Sequence, residues 1–159
     1  MKKLWMGLAF LLWMPFHIYG QSKQERKEIK KEINILLDNW HKFAANSDFD
    51  NYFSLMGKEA VFVGTDSSEV WSKKEFMKYA KEPFKNKKGW KFIPLSRNIY
   101  MGKNPDYVWF DELLDTQMGK CRGSGVAVNE NGEWLIMHYV LSLTVPNDKL
   151  KMVKRIISY

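Results

Sequence analysis

An α+β domain is predicted from three observations. Apolar residues recur at helical spacing in the first part of the chain. Runs rich in β-branched and aromatic residues, broken by turn signals, fill the second part. The pair Asn131-Gly132 sits between two such runs and is a strong hairpin signal. Helices first and strands later is the α+β order, in which a sheet buries one face against helices.

Residues 22–46 read as a long helix because Ile29, Ile33, Leu36, Leu37, Trp40, Phe43 and Ala44 form one apolar stripe at three- and four-residue spacing. Asn46-Ser47-Asp48 breaks it. Ser47 with Asp50 is expected to open a short second helix that carries Tyr52, Phe53 and Met56 inward and ends at Gly57. Ala60 to Val63 and Glu69 to Trp71 read as short extended segments around the turn Gly64-Thr65-Asp66. Ser72 and Glu75 then form a capping box that opens a third helix, with Phe76, Met77, Ala80 and Phe84 on its buried face and Pro83 and Gly89 around its end. Residues 90–102, 106–116, 121–129 and 133–145 read as four strands of an antiparallel meander. Their breaks are Asn104-Pro105-Asp106, Met118-Gly119 and Asn131-Gly132.

The chain has 159 residues, 45% hydrophobic and 15% aromatic, enough for one domain with a core. Residues 1–20 stand apart. Lys2 and Lys3 precede an almost wholly apolar run from Leu4 to Tyr19, and Ile18 and Gly20 occupy the −3 and −1 positions of a cleavage site before Gln21. This is the layout of a secretory signal peptide. The run is short for a span, which needs about 20 residues, and Pro15 and His17 interrupt it. The expectation is a leader at 1–20, a domain at 21–147, a basic tail at 148–159 that can form a helix, and a periplasmic or secreted product. In that tail Leu150, Val153, Ile156 and Ile157 share one face. The first reading packs this face on the domain, and the sharper one sets it on an anionic membrane surface.

The net charge of +7 is concentrated at Lys23 to Lys31 and Lys149 to Arg155, and export argues against nucleic acid as a partner. Cys121 is the lone cysteine, so no intramolecular disulfide forms, and burial in a strand is expected. Neither His41 nor His138 belongs to a metal-spaced cluster, and no P-loop or dinucleotide fingerprint is present. No cofactor or metal is expected. Gly119-Lys120-Cys121-Arg122-Gly123 matches a nucleophile-elbow string, but a hairpin leading into a strand is the wrong context for that elbow.

Several strings resemble the SnoaL-like proteins of the nuclear transport factor 2-like superfamily over roughly residues 30–147. They are Gly64-Thr65-Asp66 with Glu69-Val70-Trp71, Trp109-Phe110-Asp111-Glu112, Arg122-Gly123-Ser124-Gly125-Val126, and Trp134 to Ser142 followed by Val145-Pro146-Asn147. The resemblance implies a cone-shaped curved antiparallel sheet packed on N-terminal helices, a pocket at the open end, and a homodimer through the outer sheet face. Functions in the superfamily run from steroid isomerisation, polyketide cyclisation and dehydration to non-catalytic assembly, so the fold alone does not choose among them.

The resemblance implies an acidic residue on the cone wall where a member is an isomerase or cyclase. Asp111, set between Trp109 and Leu113 on one strand face, is the candidate acid–base group. The bland alternative is a carboxylate bonded to a backbone amide or to Arg122. Arg122 either holds an acidic ligand group or pairs with Asp111 or Glu112. His138 and Tyr139 are candidate polar helpers. A two-residue turn at Asn131-Gly132 would set Gly125 opposite His138, and Val140 stands where the family string often has a second histidine. Asp66, Glu69 and Trp71 are candidates for a pocket rim. Trp109 is a candidate ligand contact, and Trp40, Tyr52 and Phe53 for the helix side, where core packing is the default. The reading is a domain that binds a small, partly apolar molecule. The alternatives are an isomerase, dehydratase or cyclase using Asp111, or a dimerisation module without ligand. A bulge would exchange inward and outward strand faces.

Overall fold

The structure, a computed structural model, describes residues 23–157. The leader expected at 1–20 lies outside the described residues. The elements are α1 (Lys23–Ala45), α2 (Phe49–Ser54), β1 (Met56–Val63), β2 (Val70–Ser72), α3 (Lys73–Lys85), β3 (Phe92–Met101), β4 (Tyr107–Thr116), β5 (Gly119–Glu130), β6 (Glu133–Leu143), a 3-10 turn (Asn147–Lys149) and α4 (Leu150–Ile157). The six strands form one curved open sheet in the order β2-β1-β6-β5-β4-β3. The meander β3-β4-β5-β6 is antiparallel. The exception is β1, which lies parallel to β6 and antiparallel to β2, so the sheet is mixed.

Helix α1 buries Ile29, Ile33, Leu36, Leu37, Trp40 and Ala44 of the expected stripe, and also His41. Helix α3 is opened by Ser72, with both halves of the capping box formed with Glu75, and it ends at Asn86. The short helix α2 departs from expectation. Its cap is Asp48, whose carboxylate accepts from the Asn51 amide, and Ser47 instead takes a left-handed φ of 55°. Met56 and Gly57 already belong to β1, where Gly57 lies against the Met137 sulfur. The Asn131-Gly132 hairpin has φ of 56° and 92°, the two positive values that a tight primed turn requires.

The core fills the concave side of the sheet. Trp40 stacks on Tyr52 at 4.9 Å, and Phe53, Phe76 and Phe84 pack around Tyr52. Ile33, Leu37, Val108, Leu114, Ile136 and the lone Cys121 are fully buried in the same cluster. On β4 the buried set is Val108, Phe110, Glu112, Leu114 and Thr116, and the other parity, Tyr107, Trp109, Asp111 and Leu113, faces outward. In β6 the register shifts by one residue, with Ala127 opposite Ile136 but Val126 opposite His138. The extra residue, Met137, is a bulge. It puts Gly125 opposite Tyr139 rather than His138, and it turns both Ile136 and Tyr139 inward.

Helix α4 has no buried residue and makes its main contacts with the turn before it. The first reading of the sequence packs this face on the body of the domain, whereas among the described residues no side chain of α4 is fully buried.

Candidate functional site

Two features on the concave side carry chemistry, one open and one sealed. The open feature is a cleft of about 120 Å³ between the β1–β2 turn (Gly64, Thr65) and the β4–β5 turn (Gln117, Met118). Its walls come from Trp90, just before β3, and Phe92 at its start, from α3 (Phe76, Tyr79), from β1 and β2 (Phe62, Trp71) and from the turns beside them. The rings are nearly parallel. Trp71 and Phe76 differ by 8° with centroids 5.7 Å apart, and Phe76 and Trp90 by 7° at 5.7 Å. Tyr79 lies 4.6 Å from Trp71 at 25°. The α3 spacing explains part of this, since Phe76 and Tyr79 are three residues apart and share a helix face. At the rim, Glu69 folds over Gly64, where any Cβ would collide with its carboxylate, and accepts a bond from the Asp66 amide at 3.2 Å.

The sealed feature lies one ring layer deeper. Phe62, on the cleft wall, stacks on Tyr139 at 5.9 Å, and Phe92 packs on His41 at 5.4 Å. Behind these rings sits Glu112, with no exposed surface. Its Oε1 accepts from His41 Nε2 at 2.7 Å and from the Tyr139 hydroxyl at 2.9 Å, and its Oε2 accepts from Arg97 Nε at 2.9 Å. An ionised carboxylate only accepts, so His41 donates from Nε2. Arg97 continues outward to Asp38 Oδ1 at 2.9 Å and to the Asn34 side chain at 3.0 Å, tying β3 to α1. Burial works to raise the Glu112 pKa. The hydrogen bond and charge of His41, with those of Arg97, outweigh it and hold the group below the usual carboxylate value. Burial, then the adjacent Glu112 charge, pushes the Tyr139 phenol well above its ordinary value. His41 Nδ1, Arg97 Nη2 and Trp40 Nε1 are buried without a hydrogen-bond partner among the described residues.

The geometry requires Gly123. A Cβ there would occupy the place of the Tyr139 hydroxyl and crowd Glu112 Cγ. The glycine in the Arg-Gly-Ser-Gly string therefore makes room for the tyrosine–glutamate bond.

Other residues singled out in the sequence are placed differently. Asp111 is on the outer face, where it accepts from Arg122 at 3.0 Å, from the Tyr100 hydroxyl at 2.9 Å and from Asn98. The interior position envisaged for Asp111 belongs to Glu112, its neighbour of opposite parity. Arg122 is half exposed and takes the pairing alternative. His138 shares the outer row Trp109–Val126–His138–Val61, so it is not beside the interior tyrosine's hydroxyl. Trp109 is 47% exposed and stacks on Tyr100, bordering a shallow groove with Lys23, Lys27 and Lys30. Trp40, Tyr52 and Phe53 are core. Asp66 is an exposed turn residue bonded to Ser68, while Glu69 and Trp71 line the cleft. The structure brings Tyr139 together with Glu112, His41 and Arg97, and it brings Trp71 together with Phe76, Tyr79 and Trp90. Sequence reasoning missed Glu112, Arg97 and the pairing with His41. The available signal was the more uniformly apolar parity of Val108, Phe110 and Leu114, which includes Glu112.

A curved mixed sheet of this order, closed by N-terminal helices, is the nuclear transport factor 2-like fold. Solved structures match it over about three quarters of the chain. A candidate scytalone dehydratase from Novosphingobium aromaticivorans DSM 12444 superposes with a TM-score of 0.66 at 9% identity, over 78% of this chain and 89% of its own. A candidate dehydratase of the nuclear transport factor 2-like family from Streptomyces avermitilis gives 0.65 at 10% identity, over 76% and 99%. A candidate association domain of a calcium/calmodulin-dependent protein kinase II from Xanthomonas campestris gives 0.56 at 21% identity, over 74% and 88%. Identities this low show the fold alone. The family is shown in sequence: the model of the SnoaL-like domain matches residues 33–146, and the chain belongs to that family. No curated protein matches the chain.

Proposed function

We propose that this SnoaL-like domain is an exported, homodimeric binding protein that holds one flat ring of a small, partly apolar molecule in the cleft, against the wall formed by Trp71, Phe76, Tyr79 and Trp90. The observation that carries the reading is the near-parallel ring array around an open space of about 120 Å³. Sites for drug-sized ligands occupy about 300–1,000 Å³, whereas a cavity of roughly 150 Å³ accepts benzene. The cleft therefore suits a single ring, with the rest of the ligand in solvent. Parallel aromatic walls favour stacking, worth about 0.5–1.5 kcal/mol per ring pair beyond area burial. The outer sheet face, with Trp109, Val126 and Val61 in one row, is the surface through which the dimer forms in this reading. The chain starts at Gln21 once the leader is removed.

One experiment reads all of this. Native mass spectrometry of the protein recovered from the periplasm is expected to show a chain beginning at Gln21. It should run as a dimer and carry extra mass that is lost on denaturation. Tyr79→Ala, half exposed in the wild type, is expected to weaken retention of that mass about tenfold at an unchanged melting temperature. A bare wild-type protein, or a ligand held as well by Tyr79→Ala, sinks the reading.

A second reading, acid–base chemistry on the bound molecule, is favoured by the quartet beneath the cleft. In that case Glu112 replaces Asp111 as the acid–base group, with His41 and Tyr139 as its partners. Phe62 or Phe92 must swing aside to admit substrate, because Glu112 has no exposed surface. Turnover that vanishes in Glu112→Gln but survives in Asp111→Asn would favour this reading over simple binding.

A further inference from the structure

We infer that α4 is a docking helix for an anionic lipid surface. At roughly 100° per residue, Leu150, Met152, Val153, Ile156 and Ile157 fall within an arc of about 160°, while Lys151, Lys154 and Arg155 occupy a separate arc of about 100°. The two sets do not mix. The apolar arc is largely uncovered among the described residues: Leu150 is 50% exposed, Met152 56%, Ile156 76% and Ile157 60%, and only Val153 is half-buried. A helix that had evolved to pack on the sheet would bury this stripe, as α1 and α3 do theirs.

Charge complementarity identifies the occupant. The helix contains no Asp or Glu, and Lys154 and Arg155 border the apolar arc on its two sides. Long basic side chains at the edges of an apolar stripe let the stripe enter the acyl boundary while their charged ends stay among anionic headgroups. A second copy of the chain fits less well. Self-pairing across this face would bring the basic arcs of both helices together without an acid between them. Two helical turns also fall far short of the about 800 Å² per partner of a standard interface.

The inference is independent of the cleft. Its test uses the chain from Gln21 onward, which contains every described element, in co-sedimentation with phosphatidylcholine vesicles with and without phosphatidylglycerol. Wild type is expected to bind only the vesicles containing phosphatidylglycerol, and to be released by salt. Lys151→Glu with Arg155→Glu is expected to weaken binding by at least about 25-fold, since losing each basic charge costs about fivefold and the added carboxylates repel the surface. Ile156→Asp with Ile157→Asp is expected to weaken it by at least about tenfold. Both pairs are exposed, so melting temperatures should not change. Equal binding to both vesicle types, absence of binding, or indifference to either double variant overturns the inference. If vesicles are ignored and sedimentation velocity shows a dimer that the isoleucine variant dissociates, a second copy covers the helix instead.

Discussion

Glu112→Ala is expected to lower the unfolding free energy by roughly 3–5 kcal/mol, the cost of breaking a buried ion pair and stranding its partner. The substitution leaves the Arg97 guanidinium facing a hole and takes the acceptor from both His41 and the Tyr139 hydroxyl. Against a total stability of about 5–15 kcal/mol for a domain, the change is severe. Urea denaturation should show it as a lower midpoint at an unchanged slope. An effect under about 1 kcal/mol would mean that water reaches the site and the carboxylate is not sealed. Replacing the pair together, Glu112→Leu with Arg97→Met, is expected to recover part of the loss, because no unpaired charge is then buried. His41 and Tyr139 still lack their acceptor in that variant, so recovery is incomplete.

The same group sets an acid limit. Its folded pKa lies below the ordinary carboxylate value, so the unfolded chain takes up the proton first. The stability it contributes is fully present above the unfolded value, about 4.3. It is lost as pH falls through the lower folded value. In Glu112→Gln this part of the acid-denaturation curve should flatten. A wild-type curve unchanged by that substitution would contradict the low folded pKa.

The second large effect is expected from one methyl group. Gly123→Ala forces the Tyr139 ring away from the position where its hydroxyl meets Glu112. Overpacking costs about 1–3 kcal/mol, and the lost hydrogen bond to a charged group adds about 1.5–3 kcal/mol. Tyr139→Phe alone should cost only the second amount. In the Tyr139→Phe background the alanine meets no hydroxyl, so the two changes together should destabilise by less than the sum of the singles. A double-mutant cycle on thermal midpoints reads this coupling directly. Strict additivity would show that the glycine serves some other purpose.

Much of the fold was legible because local rules agree with the tertiary structure. The α1 stripe, the Ser72 capping box and the Asn131-Gly132 turn each specify their element from a few residues, and each is found in place. The site was less legible because it depends on parity. Asp111 and Glu112 are adjacent, both acidic and both flanked by large apolar residues. Only long-range packing decides that Val108, Phe110 and Leu114 turn inward, and Glu112 goes with them. The Met137 bulge has no sequence signature, yet it shifts His138 to the outer row and brings Tyr139 in. Arg97 and His41 come from strand and helix segments far apart in the chain, and neither belongs to a motif. The open apolar face of α4 shows the opposite case: amphipathicity was plain in the sequence, but not what covers it.

The parallel pairing of β1 with β6 also governs when the domain can form. These strands are separated by β2, α3 and β3 to β5, and every contact between them, such as Val61 with His138, closes more than half of the described chain into one loop. Such contacts repay their closure entropy late, so a nascent chain can make α1 and the β3–β5 hairpins but cannot seat β1. Until β6 emerges, Phe62 and the rings it stacks on have no wall to rest against. The polypeptide thus stays open for as long as it is being made, and it locks only when its last strand arrives.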